Sequence, residues 1–387
     1  MSDLPSTKPE TKIVQAGIGA DPAHNSVAPP LYLSSTYICP SPSEKGDYDY
    51  GRSNNPNRSF LADALTELDG GAGAVVTTSG MAAIDLVLNL MNADDLVVAP
   101  HDCYGGTHRL LTHRAKQGRI RVEFVDQTDA AAFAAALKSK PAIVMIETPS
   151  NPLMRVVDVA ATCAAAKSAG AISVVDNTFL SPLRLKPLDL GADIALQSTT
   201  KYINGHSDII GGCVVAKSAA HFEQLAWWAN AAGVTASAFD CHQTLRGLRT
   251  LALRLDAAEA NALAIAKFLE TQDAVKHIYY PGLRSDPGHE LVHAQQTGPG
   301  AMLSFEIKGG LAGATAFCQS LKIFRLAASL GGVESLICLP ETMTHAGMEE
   351  SARRDAGISD SLLRLSVGIE SESDLLADLA KGFSKLS

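Results

Sequence analysis

A lysine lies among hydroxyl side chains directly after a short apolar run. The segment Ser198-Thr199-Thr200-Lys201-Tyr202 follows the run at 193–197, and an earlier run at 174–175 ends at Asp176. A lysine amine can form a Schiff base, hydroxyl groups can bond a phosphate, and a carboxylate can pair with a protonated pyridine nitrogen. These residue types at separate strand ends favour pyridoxal 5′-phosphate (PLP) chemistry, although a buried lysine taken alone is more often an ion-paired structural residue.

A glycine turn at 77–81 supplies a candidate phosphate site. Ser79, Gly80 and Met81 follow the apolar run at 74–76 and begin a helical pattern. Glycine lets the backbone approach a ligand closely, and the free amides at a helix N-terminus attract anions. A serine-capped turn is the structural alternative. With the hydroxyls of Ser198 and Thr200 available as well, a phosphate site is the better interpretation.

Two further turns follow predicted strands and carry groups suited to an aromatic cofactor. Tyr104, in the glycine turn at 101–107, could lie flat on a ring and present its hydroxyl to a substrate. Asn151, in the turn at 148–152, could hydrogen-bond a ring hydroxyl. A half-buried tyrosine and a turn-forming asparagine are the structural alternatives.

Two arginines occupy contrasting positions. Arg364 lies inside the apolar strand pattern Leu362-Leu363-Arg364-Leu365-Ser366. Burying an unpaired guanidinium is costly, so a carboxylate from the protein or from a substrate should meet it. Tyr50 and Arg52 lie instead in the irregular segment 49–57, where they could donate to a phosphate or form a solvated turn.

Short apolar runs alternate with Ala-rich helical segments from about residue 74. This alternation predicts an α/β fold with a mostly parallel seven-stranded sheet covered by helices on both faces. Functional groups in such folds lie at the carboxyl ends of the strands. The predicted strands are 74–76, 96–98, 122–125, 143–146, 172–175, 194–196 and 213–215, and the predicted helices include 129–138 and 158–170.

The chain divides into three predicted parts: an N-terminal arm (1–62), a large domain (63–255) and a smaller α+β C-terminal domain (256–387). The arm is long and weakly structured, so we expect it to pack on something or to have a function. A helical stretch at 239–270 leads to the small domain, in which strands are predicted at 302–307 and 363–367 and a final helix from Ser371.

Composition and charge narrow the class of protein. With 46% apolar and 19% charged residues, the 387-residue chain resembles a globular enzyme. Its net charge of −9 argues against nucleic-acid binding. No apolar stretch is long enough to span a bilayer, and residues 1–6 lack a signal-peptide pattern. Seven scattered cysteines without a CxxC pair indicate reduced thiols in a cytoplasmic protein.

One motif points to a different class of enzyme. His289-Glu290-Leu291-Val292-His293 matches the HExxH pattern of zinc hydrolases, in which two histidines bind zinc and the glutamate acts as base. The predicted helix is short, it lies away from the strand-end residues, and no third ligand is evident. A solvated polar helix face is therefore the preferred interpretation, and no metal site is predicted.

Together these segments resemble the Cys/Met-metabolism family of PLP-dependent enzymes. The similarity runs in order from about residue 12 to the end of the chain, and Trp227-Trp228-Ala229-Asn230 and Thr344-His345-Ala346-Gly347-Met348 are most similar to its γ-synthase branch. The remaining motifs in register are Tyr50-Gly51-Arg52, Ser79-Gly80-Met81, Tyr104-Gly105-Gly106, Ser150-Asn151-Pro152, Asp176-Asn177-Thr178-Phe179, the segment 200–208, Leu245-Arg246-Gly247-Leu248, Ser329-Leu330-Gly331-Gly332 and Met343-Thr344-His345-Ala346.

The resemblance implies an aspartate-aminotransferase-like fold (fold type I) and a role for each matching residue. Lys201 would form the Schiff base and move protons, Asp176 would keep the pyridine nitrogen protonated, and Tyr104 would stack on the ring. The implied cofactor site further contains Gly80, Met81, Asn151, Thr178, Ser198 and Thr200, joined by Tyr50 and Arg52 from a neighbouring subunit. The implied substrate site contains Arg364, Asn151, Ser329, Tyr50, Arg109 and Asp49.

The resemblance also implies a reaction and an assembly. An O-acylated homoserine, with O-succinyl-homoserine the expected donor, would lose its γ-acyloxy group after Lys201 moves an α and a β proton. Cysteine sulfur would then add to give cystathionine. The related γ-elimination, a sulfhydrylase reaction and a non-catalytic binding role on the same fold remain alternatives. The implied assembly is a homotetramer, a dimer of dimers with shared active sites.

One position departs from the family pattern. The residue before Ser-Leu-Gly-Gly is often glutamate in similar γ-synthases and γ-lyases, but this chain has Ala328. If that glutamate faces the distal amine of the amino-acid substrates, a charge partner is missing here. We therefore expect the reaction class to be kept and the preference among sulfur nucleophiles to be loose.

Overall fold

The computed structural model describes residues 7–44 and 46–386, so the signal-peptide prediction for residues 1–6 lies outside the described residues. A seven-stranded sheet has the order β1-β7-β6-β5-β4-β2-β3. β7 pairs antiparallel with β1 and β6, and the other pairs are parallel. The strands are β1 Gly73–Thr77, β2 Leu96–Pro100, β3 Arg121–Val125, β4 Ile143–Glu147, β5 Ile172–Asp176, β6 Ile194–Gln197 and β7 Gly212–Ala216.

All seven predicted strands are present, and the fold class is confirmed. Short Val- and Ile-rich runs are typical of strands whose two faces are both buried. The helices before, between and directly after them often start at side-chain caps; Ser79 Oγ, for example, accepts the N–H of Ala82 at 3.0 Å. These helices are α1 Pro9–Gln15, α2 Pro56–Asp69, α3 Gly80–Leu88, α4 Gly105–Lys116, α5 Ala130–Leu137, α6 Val159–Ser168, α7 Ser181–Arg184, α8 Ala219–Ala232, α9 Ala238–Leu248 and α10 Leu251–Glu270.

Helices cover both faces of the sheet. Alternate strand residues such as Val144 and Val175 belong to a core shared with α2 and α6. Their neighbours Ile143 and Val174 belong to a second core shared with α3, α4 and α8. This alternation follows from the two-residue period of a strand. It leaves the carboxyl ends of β2, β4, β5 and β6 open at one edge.

The helical stretch predicted at 239–270 is two helices, and the break was not predicted. α9 ends at Leu248 and α10 starts at Leu251. Thr250 Oγ1 and Arg254 Nη2 both donate to Gly247 O, at 3.1 and 2.8 Å, in addition to the backbone N–H of Thr250 at 3.1 Å, so side chains and a tighter turn satisfy the carbonyl at the end of α9. α10 also crosses position 255/256, where we placed the domain boundary. That division stays a prediction.

A five-stranded sheet of order β10-β11-β12-β9-β8 forms in the C-terminal part. The predicted strands at 302–307 and 363–367 are β9 and β12, and Ser371 directly precedes the predicted final helix, α14. The other three strands were not predicted. The elements are β8 Val275–Tyr279, α11 His289–Gln295, β9 Met302–Ile307, α12 Gly310–Ser320, β10 Arg325–Leu326, β11 Leu336–Cys338, α13 Glu350–Ala356, β12 Leu362–Ser366 and α14 Glu372–Phe383.

The N-terminal arm is mostly irregular between α1 and α2. Thr36 and Tyr50 form an isolated antiparallel bridge within it. Arg58, on α2, holds the arm through its Nη2, which donates to Gly51 O at 2.8 Å and to Arg52 O at 3.0 Å. Across the described residues, no helix has the length and apolar character needed to cross a membrane.

Candidate active site

A cavity of about 890 Å³ opens at the carboxyl ends of the parallel strands and extends to the small sheet. Loops and strand ends of the seven-stranded sheet meet β12 there, as expected for a parallel α/β sheet. Most of the predicted site residues line it, namely Gly80, Met81, Tyr104, Arg109, Asn151, Asp176, Thr178, Ser198, Thr200, Lys201, Ser329 and Arg364.

Lys201 lies on the turn after β6, and its amine faces the small domain. Its Nζ donates to Ser329 Oγ at 2.6 Å. Burial, together with the positive charge of Arg364, lowers the pKa of Lys201 to about 8. Because the neutral form of a lysine is the nucleophile, this shift leaves a useful fraction of Lys201 reactive near neutral pH.

Asp176 ends β5 at the floor of the cavity. Thr178 donates to its Oδ1 twice, from the backbone N–H at 3.0 Å and from Oγ1 at 2.5 Å. Burial raises the pKa of Asp176, whereas these hydrogen bonds act in the opposite direction. A cationic ring nitrogen beside the carboxylate would remove the cost of burying its charge. The position therefore suits the role predicted for Asp176.

The phosphate side of the cavity is a cup of small residues and hydroxyls. An added Cβ on Gly80 would lie 2.8 Å from Ser198 Cβ, so only glycine lets the start of α3 approach the turn after β6 this closely. Ser198 N–H donates to Thr178 Oγ1 at 2.9 Å, and Thr200 Oγ1 donates to Gly211 O at 3.1 Å. The amides of α3 and two hydroxyls thus surround one small space suited to an anion.

Tyr104 is the N-cap of α4 and lies partly exposed at the cavity. An added Cβ on Gly106 would lie 2.4 Å from Tyr104 Cε1, so this glycine leaves room for the aromatic ring. The Tyr104 N–H donates to Glu147 Oε2 at 2.9 Å, which fixes the turn that carries the ring. The ring is therefore placed beside the phosphate cup, where stacking on a flat cofactor is feasible.

Arg364 is 2% exposed and brings the small domain into the site. Its Nη1 donates to Asn151 Oδ1 at 2.7 Å and its Nη2 to Ser329 O at 3.0 Å. Its Nε has no hydrogen-bond partner, and within the described residues no carboxylate forms an ion pair with the guanidinium. The carboxylate expected from the sequence is therefore left for a ligand to supply.

Ser329 joins the lysine to the arginine. Its hydroxyl accepts from Lys201 and its carbonyl accepts from Arg364. Its φ is +85°, a left-handed conformation that non-glycine residues rarely adopt. Such conformations are concentrated at functional sites, where the surrounding structure imposes them.

Glu147 and His345 both shape the site, although neither was predicted to have a role. Glu147 ends β4 beside Asp176, and its Oε1 and Oε2 accept the N–H groups of Asn151 and Tyr104 at 3.0 and 2.9 Å. Burial, and then the charge of Asp176, raises the pKa of Glu147 well above its ordinary value. A charged residue ending the apolar run 143–146 was the available signal.

Three predicted residues are not among the described residues that line the cavity. Asp49, Tyr50 and Arg52 lie in the arm, where Arg52 is positioned over the Tyr50 ring with 5.6 Å between its Cζ and the ring centroid. The single chain thus does not bring them to Lys201. Their predicted roles require a second copy of the chain.

The HExxH motif lies on the seven-residue helix α11. His289 and His293 contact each other edge-on, with 4.5 Å between ring centroids, and His289 Nδ1 lies 3.1 Å from Pro281 O. The part of the chain that the structure describes contains no group of three or more His, Cys, Asp or Glu arranged to hold a metal. Nothing in the geometry favours the zinc-hydrolase alternative.

Comparisons with known proteins agree with this geometry. The profile of the family described as "Cys/Met metabolism PLP-dependent enzyme" matches residues 10–384. Cystathionine gamma-synthase of Escherichia coli (strain K12) is 53% identical over 377 residues, covering 97% of this chain and 98% of the relative. Cystathionine gamma-lyase of Dictyostelium discoideum is 42% identical, covering 97% of each chain.

A solved structure extends the comparison to three dimensions. Cystathionine gamma synthase from Xanthomonas oryzae pv. oryzae, in complex with cystathionine, matches with a TM-score of 0.98 and 53% identity, and 99% of each chain is covered. The chain described here belongs to the Cys/Met-metabolism family of PLP-dependent enzymes, and PLP is its cofactor.

Proposed function

We propose that this family member catalyses a γ-replacement, forming L-cystathionine from an O-acyl-L-homoserine and L-cysteine. O-succinyl-L-homoserine is the proposed donor, and the product would serve methionine biosynthesis by trans-sulfuration. The 53% identity to a cystathionine gamma-synthase over nearly the whole chain supports this reaction. The single structural observation that carries the proposal is the unpaired Arg364 guanidinium in the same cavity as Lys201.

The residues present fit PLP on the evidence of the cavity itself. The cup around Gly80, Ser198 and Thr200 suits the phosphate, Asp176 suits the ring nitrogen, and Tyr104 suits the ring face. When bound, PLP supplies an electron sink that stabilises negative charge on substrate carbons. The protein's own contribution is to hold that group, orient the substrate and move protons.

Lys201 and Arg364 would divide the work on the amino acid. Arg364 would bind the α-carboxylate through its guanidinium, which has no carboxylate partner in the described part of the chain, with Asn151 beside it. Lys201 would take up and return protons at the α and β carbons, since the lowered pKa of its amine suits both directions. Ser329, 2.6 Å from Nζ, would hold the amine in place between these transfers.

An assay with two substrate mixtures tests the proposal. Purified enzyme is given O-succinyl-L-homoserine with L-cysteine, and separately L-cystathionine alone. Cystathionine formation in the first mixture at a much higher kcat/KM than cystathionine breakdown in the second supports γ-replacement. No cystathionine from the first mixture would contradict it. Replacing cysteine with sulfide tests the sulfhydrylase alternative in the same experiment.

γ-Elimination of cystathionine is the second candidate. The 42% identity to a cystathionine gamma-lyase over 97% of the chain favours it. Release of 2-oxobutanoate and cysteine from cystathionine would be its signature. If cystathionine breakdown is faster than cystathionine formation in the two-mixture assay, γ-elimination is the main activity.

The arm residues support a proposed assembly with shared sites, a homotetramer built as a dimer of dimers. Tyr50 and Arg52 are displayed on the arm and do not line their own cavity. The same arm exposes Leu33 and Ile38, which are 73% and 97% exposed. A neighbouring subunit would cover these apolar groups and receive Tyr50 and Arg52 at its phosphate cup.

The seven free thiols fit the proposed cytoplasmic location.

Mixing two inactive variants tests the shared site. Lys201→Ala and Arg52→Ala subunits are combined under conditions that exchange subunits. In a mixed dimer one site carries both defects and the other carries neither, so activity should return. Activity that stays absent, although mixed dimers are shown to form, would mean that the sites are not shared.

A further inference from the structure

Asn151 is held from three directions at the cavity wall. Its N–H donates to Glu147 Oε1 at 3.0 Å, and its carbonyl lies 3.0 Å from His345 Nε2. Its Oδ1 accepts from Arg364 Nη1 at 2.7 Å. The backbone on both sides of the asparagine is therefore fixed by side chains, and the side chain in turn directs the guanidinium.

The hydrogen bonds of His345 define its tautomer. The Asn151 carbonyl can only accept, so Nε2 must carry the proton and donate. Nδ1, 2.9 Å from Thr344 Oγ1, is then the acceptor of that hydroxyl's proton. Both ring nitrogens are used in the neutral imidazole, and neither is left to exchange protons with a substrate.

His345 also touches the second wall of the cavity. An added Cβ on Gly105 would lie 2.8 Å from Thr344 O and 3.5 Å from His345 Cδ2. Thr344 and His345 therefore pack directly on the start of α4, next to Tyr104. It connects the turn that carries the aromatic ring to the turn that carries Asn151.

We propose that His345 is a positioning residue for substrate carboxylate recognition. By donating to Asn151 O, it fixes the asparagine whose Oδ1 directs Arg364 towards the cavity. His345 does not itself line the cavity and acts through Asn151. The inference rests on the proposed function, because it assumes that Arg364 binds the α-carboxylate of an amino acid.

The electrostatic surroundings agree with a neutral, structural imidazole. Burial lowers the pKa of His345 to about 4, and the positive charges of Arg364, His108 and Arg353 act in the same direction, while the hydrogen bond to Asn151 opposes them. Arg364 thus faces a dipole and not a second cation. The contribution of His345 should consequently be constant with pH above about 5.

Three substitutions separate the hydrogen bond from the volume of the ring. His345→Phe keeps a ring but loses the donor. His345→Gln places an amide N–H near the position of Nε2, whereas His345→Asn is too short to reach it. His289→Phe is the matched control, since His289 also bonds a backbone carbonyl, Pro281 O, but lies outside the cavity. Thermal unfolding of each holoenzyme reports any general loss of stability.

The measurement is binding of L-homoserine and of L-homoserinamide, which lacks the carboxylate, followed by the visible absorption of the bound cofactor. His345→Phe should weaken homoserine binding by at least about fivefold and homoserinamide binding by less than about twofold. His345→Gln should bind both ligands like the wild type, and His289→Phe should as well. Should His345→Phe fail to fold, the contrast between the Gln and Asn variants carries the same test.

Equal losses for acid and amide in His345→Phe, or no loss for either, would overturn the inference. A Gln variant as impaired as the Phe variant, or an Asn variant as good as wild type, would overturn it too. Failure of the assumption that Arg364 binds the α-carboxylate gives a different result, because the wild-type enzyme itself would then bind the acid no better than the amide. Failure of γ-replacement alone would appear only in the two-mixture assay and would leave this binding contrast unchanged.

Discussion

Two buried arginines, Arg254 and Arg364, are used in opposite ways. Arg254 lies beneath the Lys201 turn, 6% exposed, and all three of its nitrogens donate. Nε bonds Thr250 Oγ1, Nη1 bonds Tyr202 O, and Nη2 bonds two further carbonyls, at distances of 2.7 to 3.2 Å. Arg364 is more deeply buried but leaves Nε without a partner.

The difference shows how completeness of hydrogen bonding separates a structural residue from a ligand-binding one. Buried polar groups are nearly always satisfied, so a buried guanidinium at a cavity with no carboxylate partner marks a place where a ligand can complete the network. Arg254 ties the carbonyls after Lys201 to the α9–α10 junction and needs nothing more. Arg364 has no carboxylate partner among the described residues, so a ligand carboxylate can pair with it.

The largest expected effects come from removing each guanidinium. Arg364→Leu should lower kcat/KM by on the order of 10²- to 10³-fold while leaving the unfolding temperature within a few degrees, because a costly buried charge is also removed. Arg254→Leu should instead lower the unfolding temperature strongly, since it leaves several buried carbonyls unsatisfied. Steady-state kinetics and thermal unfolding of both variants provide the check.

The opposite result would be a loss of stability in Arg364→Leu and a loss of activity without a loss of stability in Arg254→Leu. A strongly destabilised Arg364→Leu protein would mean that its guanidinium is part of the structural network. An Arg254→Leu protein of unchanged stability and reduced activity would mean that the hydrogen-bonding pattern does not report the roles of these residues.

Ser329 accepts a hydrogen bond from Arg364 through its carbonyl and has a strained backbone conformation, so its substitution tests the ligand-binding side of the site separately. Ser329→Ala keeps the strain and removes the hydroxyl that accepts from Lys201, and we expect kcat to fall by about tenfold. Ser329→Gly removes the hydroxyl too, but it relieves the positive φ and should unfold at a higher temperature than the alanine variant. Equal unfolding temperatures would indicate that the φ of +85° stores no strain.

The charge of Arg364, but not of Arg254, should be felt at Lys201. Burial and Arg364 lower the pKa of Lys201 to about 8. Because only the neutral amine is nucleophilic, the rate of PLP binding to apoenzyme should rise with pH, with its midpoint at about pH 8. Arg364→Leu removes a cation that disfavours the charged form of Lys201. The pKa of Lys201 should therefore rise, and the midpoint of the rate profile should move to higher pH.

Arg254→Leu is the matched control for that shift. Its guanidinium donates to Tyr202 O, one residue from Lys201, yet it is not among the charges that lower the lysine pKa. The midpoint should therefore stay in place. An equal shift in both variants would show that general loosening of the turn, and not the charge of Arg364, sets the lysine pKa.

The smallest expected effect concerns Ala328, which lines the cavity beside Ser329. Ala328→Glu would add a carboxylate where the distal amine of cysteine is expected, opposite the carboxylate site at Arg364. A partly exposed ion pair should change binding by less than about tenfold. The ratio of kcat/KM for cysteine to that for thiols without an amine should rise. An unchanged or lower ratio would place the distal amine elsewhere.

The large sheet was predictable from the sequence because its strands are short, buried, Val- and Ile-rich runs bounded by turns. β8 was missed because Lys276 and His277 interrupt its apolar pattern, and β10 has only two residues. The break between α9 and α10 depends on Arg254 reaching across to loop carbonyls. No local pattern records that contact.

The candidate site was predictable where a residue type carries its own chemistry, as for Lys201 and Asp176. Glu147 and His345 have roles only through their neighbours. His345 lies 194 residues from the Asn151 carbonyl that it bonds, so its role depends on contacts that only the folded chain brings together. The unmet Nε of Arg364 likewise became visible only when its other partners were placed.

The most direct test of the account is to identify the residue that binds the cofactor. The holoenzyme is reduced with borohydride, digested, and mapped for the peptide that carries the pyridoxyl label. The account predicts the label on Lys201, and its absence from the Lys201→Ala variant treated in parallel. A label on any other lysine of the wild-type protein, or no labelled lysine at all, would contradict the assignment of the active site.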